Sequence, residues 1–361
     1  MKHIHIVVLG AGVMGSALCV PATASGNKVS LVGSPLDDAI IDSINANRFH
    51  PTLDLSLPGA ITALKSSQCS AELLQSADVI VFGVSSAGIS WASDTFRESK
   101  ADPQLLSLVT KGLCAHPDGH SPPLTYANLL PRSLKLPAGK LVGIGGPCIA
   151  RELASGVPTR VIFGSENIKS SHSLRDMLES DIYRIKTTTN FEQMEACAAL
   201  KNFLCIGVSA MLGQHQLADS HAKNPLAALF NQAVIELRVL SDWIANAVAQ
   251  PNVDNLPAQA SDQVAFDLAG MGDLHVTVGG GRNSRLGHYL GQGIALSTLL
   301  QKQMQNITVE GVDTGREISS GVHAACQSGA LDARDIPLTL AILGCIDSGD
   351  RFTFDFTQLP G

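Results

Sequence analysis

The sequence predicts an α/β domain with a doubly wound, mostly parallel sheet, followed by an all-α domain. Three features carry this prediction. A β-branched run leads into a glycine-rich turn, further strand-like runs alternate with helical segments, and helical patterns dominate after Asn190. A chain of 361 residues suits two domains. We expect the first to span residues 1–189 and the second residues 190–361.

The N-terminal run His3–Leu9 is short and β-branched, as expected of a buried parallel strand. The turn Gly10-Ala11-Gly12-Val13-Met14-Gly15 follows, then a helical stretch over 16–25 and a second strand over 28–32. This is the strand–helix–strand context of the G-x-G-x-x-G dinucleotide-binding fingerprint, so we predict a Rossmann domain. The longer apolar run from Ile4 to Val20 imitates a secretory signal peptide, but the three glycines inside it favour the turn.

The end of the second strand leaves the choice of dinucleotide open. NAD-binding domains place an acid there to hold the ribose hydroxyls, whereas this strand ends in Gly33-Ser34-Pro35 and acids follow only at Asp37 and Asp38. An arginine for the 2′-phosphate of NADP is also missing from this stretch. The Ser34 hydroxyl could bind either ligand. We therefore expect NAD or NADP, with a slight preference for NADP.

Four more apolar runs continue the strand pattern, over 77–84, 105–110, 140–144 and 160–163. Ligands of open α/β sheets bind beyond the carboxyl ends of the strands, which places Lys111 and the turn at Gly146 at the ligand cleft. The alternative for Lys111 is an ordinary solvated loop lysine.

The second half opens with a long apolar helix, which Asn190 and Gln193 introduce in the pattern of a capping box. Lys201 and Asn202 interrupt its apolar run. A lysine is almost never fully buried without a partner, and a desolvated lysine suits acid–base chemistry. The alternative is a lysine whose ammonium reaches solvent along an apolar stem.

Two glycine-rich segments follow. Glycines flank Asp273, and Arg282 comes directly after Gly279-Gly280-Gly281, where its guanidinium could bind a phosphate bidentately. The polar, proline-bearing stretch over 250–257 is predicted to be a surface loop.

Composition excludes several classes of protein. The formal net charge of −7 argues against nucleic-acid binding, which needs a basic surface. The eight cysteines include no C-x-x-C pair, which indicates free thiols in a reducing compartment, and we expect a cytoplasmic protein. The sequence predicts no membrane-spanning helix and no metal site.

From Gly10 to about Glu317 the chain resembles NAD(P)-dependent glycerol-3-phosphate dehydrogenases. The motifs that carry the resemblance occur in order: Gly10–Gly15, Arg48-Phe49-His50-Pro51 with Leu57-Pro58, Val109–Leu113, Gly146–Ala150 with Glu152-Leu153, Ala199–Asn202, Gly272-Asp273-Leu274, Gly280–Asn283 and Val309-Glu310-Gly311.

The resemblance implies a homodimer that transfers a hydride between NAD(P)H and C2 of dihydroxyacetone phosphate, with Lys201 as proton donor or acceptor. It implies that the catalytic residues are Lys201, Lys111 and Asp273. The expected substrate-binding residues are Lys111, Gly146, Cys148, Asn202, Asp273, Arg282 and Asn283. The expected dinucleotide-binding residues are Gly10, Gly12, Val13, Met14, Gly15, Ser34, Lys111, Ala150, Arg282 and Glu310.

The chain departs from the family pattern in ways that keep alternatives open. Cys148 stands where a serine or threonine is usual, Ile149 replaces an aromatic residue, and the stretch 217–225 lacks the expected glycines. One alternative is the same chemistry on a longer phosphorylated polyol or ketose. Others are a non-catalytic NAD(P)-binding sensor and a related oxidoreductase of an unphosphorylated hydroxy acid. His221 and His275 have no spacing that supports a catalytic role.

Overall fold

The computed structural model describes residues 4–217, 223–248 and 264–360. Their contacts divide the chain into two compact units: the first runs up to Lys111 and resumes over Leu129–Phe191, and the second comprises Gly112–Asn128 and the chain from Glu192 onward. Residues 112–128 thus belong by their contacts to the second unit, although they precede the last strands of the first. The boundary expected between 189 and 190 stays a prediction.

The strands are β1 His5–Leu9, β2 Lys28–Val32, β3 Phe49–His50, β4 Leu55–Ser56, β5 Ile61–Leu64, β6 Val79–Phe82, β7 Leu105–Leu108, β8 Leu113–Cys114, β9 Leu124–Thr125, β10 Leu141–Gly145, β11 Thr159–Gly164 and β12 Tyr183–Thr188. The helices are α1 Val13–Ala24, α2 Asp38–Asn47, α3 Ala71–Gln75, α4 Ile89–Ser99, α5 Tyr126–Ser133, α6 Ala150–Ala154, α7 Ile168–Leu178, α8 Phe191–Leu217, α9 Lys223–Val248, α10 Asp273–Val278, α11 Arg282–Gly291, α12 Leu296–Gln301, α13 Glu310–Ser328 and α14 Pro337–Ser348.

The first unit is built on an eight-stranded sheet in the order β12-β11-β10-β7-β6-β1-β2-β5. Its strands are parallel except that β11 pairs antiparallel with β10 and carries β12 with it. Each predicted apolar run forms a strand, because these runs are buried on both faces as parallel strands require. The helix expected over 16–25 begins earlier, at Val13, because the last residues of the glycine turn already belong to its first turn.

The second unit consists mainly of helices, with a small β8–β9 hairpin. Its central helix α8 is long and apolar enough to cross a membrane, yet 94% of its apolar window is buried within the protein. Such burial is typical of a core helix. The expected capping box differs from the structure, because the Gln193 amide donates to Asp242 on α9. The loop expected over 250–257 lies outside the described residues.

Glycines allow α8 and α11 to pack at backbone distance. A Cβ atom built on Gly287 of α11 would lie 2.3 Å from the carbonyl oxygen of Ile206, and one on Gly291 would lie 1.8 Å from that of Ala210. Real Cβ atoms do not approach carbonyl oxygens this closely. The two helices therefore hold their spacing only while these positions stay glycine.

A buried carboxylate fixes the start of α14. Glu236 of α9 accepts the backbone N–H groups of Leu338 and Thr339 at 2.7 and 2.6 Å, and also the Thr339 hydroxyl. Burial raises the pKa of its carboxyl to about 7. The carboxylate satisfies donors that a helix start otherwise leaves unpaired.

Replacement by alanine should change the free energy of unfolding in opposite directions at two glycines of the second unit. Gly287→Ala should lower the free energy of unfolding by about 2 kcal/mol, because the methyl group overpacks the contact with α8. Gly344→Ala on α14 should raise it by about 1 kcal/mol, because no atom lies within 4 Å of its Cβ position and alanine favours helix. Urea unfolding of both variants measures the two values. Equal effects would contradict the close-packing account.

Candidate functional site

The glycine turn lies at the carboxyl end of β1, and each glycine has its own role. Gly10 has φ +111, a conformation that side chains disfavour, and a Cβ on Gly15 would lie 2.4 Å from the Gly10 carbonyl oxygen. A Cβ on Gly12 would instead point into open space, with the Gly83 oxygen 4.0 Å away. Gly12 is also the N-cap residue of α1, and no side chain caps this helix end. The N-terminus of α1 therefore offers open backbone donors that fit a pyrophosphate.

Two side chains hold the Ala11 peptide inside this turn. The Asp37 carboxylate accepts the N–H groups of Ala11 and Ser34 at 3.1 and 2.8 Å. The buried His50 ring accepts the N–H of Leu53 on Nδ1 at 3.2 Å, so Nε2 carries the proton and donates to the Ala11 carbonyl at 3.0 Å. Neither side chain is among the residues predicted from sequence to form the site. Asp37, the acid that follows β2, thus stabilises the glycine turn.

The neighbouring strand ends bring further predicted residues to the same edge of the sheet. Lys111 follows β7, and its Nζ lies 3.5 Å from the carbonyl oxygen of Gly146, which follows the parallel strand β10. The Cys148 thiol lies 4.0 Å from the sulfur of Met14 in the glycine turn, and Ala150 begins α6. These residues share one edge because carboxyl ends of parallel strands lie together.

The second unit holds a buried ion pair. Lys201 of α8 places its Nζ 3.0 Å from Asp273 Oδ1 and 2.6 Å from the Thr277 hydroxyl, with the side chains of Lys201 and Asp273 only 7% and 4% exposed. This burial rules out the alternative of an ammonium that reaches solvent. Thr277 was missed, although the four-residue spacing from Asp273 on one helix could have indicated it.

The backbone before Asp273 explains its position. A single π-helical turn, Leu268–Gly272, leads directly into α10, and a Cβ on Gly270 would lie 2.1 Å from the Ala265 carbonyl oxygen. The glycine permits this close return of the chain, and the wide turn aims the first residue of α10 at Lys201. Wide turns of this kind often occur at functional sites.

A second network adjoins the ion pair through Asn202. The Glu310 carboxylate accepts from Asn202 Nδ2 and from the Arg282 guanidinium, each at 3.0 Å. Because a carboxylate only accepts, Asn202 presents its oxygen to Asn283 Nδ2 at 3.1 Å. Asn283 Oδ1 in turn accepts the Gly311 N–H at 2.9 Å. The two asparagines are buried, so the network orders the groups around Lys201.

Arg282 begins α11, where it is half exposed. Gly281 before it has φ +103, and Cβ atoms on Gly280 and Gly281 would meet no atom within 4 Å. An exposed guanidinium, a helix start and open space beside glycines together suit an anionic group.

The structure thus brings Lys201, Asn202, Asp273, Arg282, Asn283 and Glu310 together in the second unit. It brings the glycine turn, Lys111, Gly146, Cys148 and Ala150 to the strand ends of the first, with Ser34 at the end of β2. His275 packs edge-on against Phe230 with ring centroids 6.1 Å apart, and His221 lies outside the described residues. Within the described residues, no His, Cys, Asp and Glu cluster suits a metal ion.

Comparison with known proteins relates both units to one family. The family model described as NAD-dependent glycerol-3-phosphate dehydrogenase N-terminus matches residues 5–171, and the corresponding C-terminus model matches residues 191–351. A curated relative from Archaeoglobus fulgidus, the NADP(+)-dependent glycerol-3-phosphate dehydrogenase, is 30% identical and aligns over 88% of this chain and 91% of its own. A glycerol-3-phosphate dehydrogenase [NAD(P)+] from Symbiobacterium thermophilum is 28% identical over 86% and 82% of the two chains.

Solved structures agree on the fold. Glycerol-3-phosphate dehydrogenase from Coxiella burnetii superposes with a TM-score of 0.72 at 22% identity, covering 96% of this chain and 98% of its own. The Plasmodium falciparum enzyme gives 0.77 at 16% identity, covering 97% and 93%. Because the two family models together match most of the sequence, the chain belongs to the NAD-dependent glycerol-3-phosphate dehydrogenase family of NAD(P)-dependent oxidoreductases.

Proposed function

We propose that this chain interconverts dihydroxyacetone phosphate and sn-glycerol 3-phosphate, with Lys201 as the proton donor in reduction and the acceptor in oxidation. The observation that carries the proposal is the buried Lys201 ammonium, bound to Asp273 and Thr277. A protein without a need for buried charge has little reason to keep this pair, because desolvating two ions costs several kcal/mol each. A non-catalytic sensor would not need it.

The proposed proton transfer takes place at the substrate's C2 oxygen. When bound, a reduced dinucleotide would supply the hydride that C2 needs, and the carbonyl π electrons would move to the oxygen. Lys201 stabilises the developing negative charge and transfers a proton from Nζ to that oxygen. The neutral amine then regains a proton from the solvent, so each reduction consumes one proton overall. Asp273 and Thr277 hold Nζ in place, and we propose Lys111 as a further group at the reacting carbonyl.

We propose that Arg282 and Asn283 hold the substrate phosphate. The Arg282 guanidinium is half exposed and already carries a carboxylate partner, Glu310. A phosphate dianion can share or replace that partner with two parallel hydrogen bonds. Binding a remote phosphate would then help to align C2 for reaction.

The other predicted site residues keep their proposed roles. Gly10, Gly12, Val13, Met14 and Gly15 would hold the pyrophosphate. The remaining proposed dinucleotide contacts are Ser34, Lys111, Ala150, Arg282 and Glu310. The remaining proposed substrate contacts are Gly146, Cys148, Asn202 and Asp273.

A longer phosphorylated polyol or ketose is the second candidate substrate. Cys148 is a weaker hydrogen-bond partner than the usual serine or threonine, and Ile149 beside it is 45% exposed. These side chains would change how the far end of the substrate is held. The proton transfer at Lys201 would be the same.

We also propose a cytoplasmic homodimer. The described cysteines form no disulfide bond with one another, which suits a reducing compartment. Dimerisation is implied by the family resemblance, and light scattering of the purified chain measures it directly.

Purified protein should oxidise NADH or NADPH when dihydroxyacetone phosphate is added, and Lys201→Met should reduce kcat about a thousandfold. Absorbance of the reduced nicotinamide measures both rates, and dinucleotide binding by the variant should be unchanged. Turnover only with four- or five-carbon ketose phosphates would favour the second candidate. Dinucleotide binding without turnover of any of these substrates would favour the sensor.

Substitutions in the Lys201–Asp273 ion pair should affect stability and activity differently. Lys201→Met should lower the free energy of unfolding by about 3 kcal/mol, because Asp273 is left buried and uncompensated. The double variant Lys201→Met with Asp273→Asn should regain most of this stability while remaining inactive. Urea unfolding and the same absorbance assay measure the two properties. Recovery of activity in the double variant would contradict the role of Lys201.

Arg282→Ala should raise KM for dihydroxyacetone phosphate about a hundredfold, because a charge-assisted bond to phosphate is lost. Arg285→Ala, an exposed arginine one turn later on α11, is the matched control and should change KM less than about twofold. With unphosphorylated dihydroxyacetone and saturating dinucleotide, the Arg282 variant and the wild type should react equally slowly. Equal effects of the two substitutions on KM would overturn the assignment.

A further inference from the structure

Lys65 lies beside the end of β2, although it is far from β2 in the sequence. Strands β2 and β5 are parallel neighbours in register, with Val32 opposite Leu64. The Gly33 N–H donates to the Leu64 carbonyl at 2.8 Å, so the pairing continues past the end of β2. Lys65, the next residue, therefore sits beside Gly33 and Ser34 at the carboxyl edge of the sheet.

This edge is where Rossmann domains distinguish the two dinucleotides. An acid after β2 binds the ribose diol of NAD, and a cation there binds the 2′-phosphate of NADP. In this chain the nearby Asp37 carboxylate is turned toward the main chain, where Oδ2 accepts the N–H groups of Ala11 and Ser34. Its charge is thus partly neutralised by two donors.

The other lysine and arginine residues in the described segment 4–65, Lys28 and Arg48, lie toward the opposite edge of the sheet. Lys28 is the first residue of β2. Arg48 donates to the carbonyl of Ile61, the first residue of β5, at 3.0 Å. Lys28 lies at the amino end of β2 and the Arg48 guanidinium lies at the amino end of β5. Within this segment Lys65 is therefore the lysine or arginine at the carboxyl edge.

The backbone of Lys65 is held in place, whereas its side chain can exchange one partner for another. Its N–H donates to Gln68 at 2.8 Å, which fixes the backbone at the start of a 3₁₀ turn over Ser66–Gln68. Its Nζ lies 2.8 Å from Asp42 of α2, with side chains 31% and 63% exposed. Solvent weakens an ion pair between side chains this exposed, so a phosphate dianion can displace Asp42 at little cost. The bond to Asp42 raises the pKa of Lys65, which keeps the ammonium charged.

We propose that Lys65, with the Ser34 hydroxyl, forms the contact that recognises the 2′-phosphate of NADP(H), and that Asp42 holds the ammonium when this phosphate is absent. The inference rests on the proposed dinucleotide site at the Gly10–Gly15 turn. The stretch after β2 lacks a lysine or arginine, and Lys65, which follows the neighbouring strand β5, supplies that cation. Asp42 then weakens NADPH binding by competing with the phosphate for Nζ.

Binding of each reduced dinucleotide, measured separately by calorimetry without substrate, tests this assignment. Lys65→Gln should weaken NADPH binding at least about tenfold, the loss of a charge-assisted bond, and change NADH binding less than about twofold. Asp42→Asn should tighten NADPH binding a few-fold and leave NADH binding unchanged. Lys28→Gln, at the amino end of the same strand pair, is the matched control and should change neither.

The possible results separate this inference from the proposed function. Equal loss of NADPH and NADH binding in Lys65→Gln, or loss of neither, would overturn the assignment while the proposed function stands. Wild-type protein that binds neither dinucleotide would overturn both. Thermal unfolding should be nearly unchanged in Lys65→Gln, since the ion pair is exposed, so a folding defect cannot imitate the selective loss.

Discussion

The second unit depends on keeping one buried ammonium paired. Lys201 lies buried within the apolar run of α8, where an unpaired charge would cost several kcal/mol. Asp273 and Thr277 on one face of α10 supply its partners, so α10 must approach α8 at this point. The π-helical turn and Gly270 make that approach possible. The same constraint that stabilises the unit therefore presents a positioned proton donor.

Glycine carries much of the remaining geometry of the second unit. Gly287 and Gly291 bring α11 against α8, and Gly311 brings α13 against the carbonyl of Asn202, 2.4 Å from a Cβ built at that position. These approaches place Asn283 and Glu310 within hydrogen-bond distance of Asn202. Small residues at helix contacts thus account for a polar network that larger residues would push apart.

In the first unit, the parallel sheet itself gathers the site. Strands that end at one edge bring together the glycine turn, Lys111 and Gly146, although they lie far apart in sequence. Asp37 and His50 hold the Ala11 peptide from its two sides, which keeps the turn in one conformation. A fixed turn presents its N–H groups without an ordering cost on binding.

The sequence by itself determined the fold class, because buried strands, a glycine fingerprint and a long apolar helix are local patterns. It also indicated Lys201, Asp273 and Arg282, since a lysine in an apolar run and glycines beside charged residues are visible without coordinates. Only the tertiary structure decided what these residues touch. Thr277 as a partner of Lys201, His50 against Ala11 and Lys65 beside Ser34 each depend on helix facing or strand register. Such pairings join residues distant in the chain, and no local pattern encodes their register.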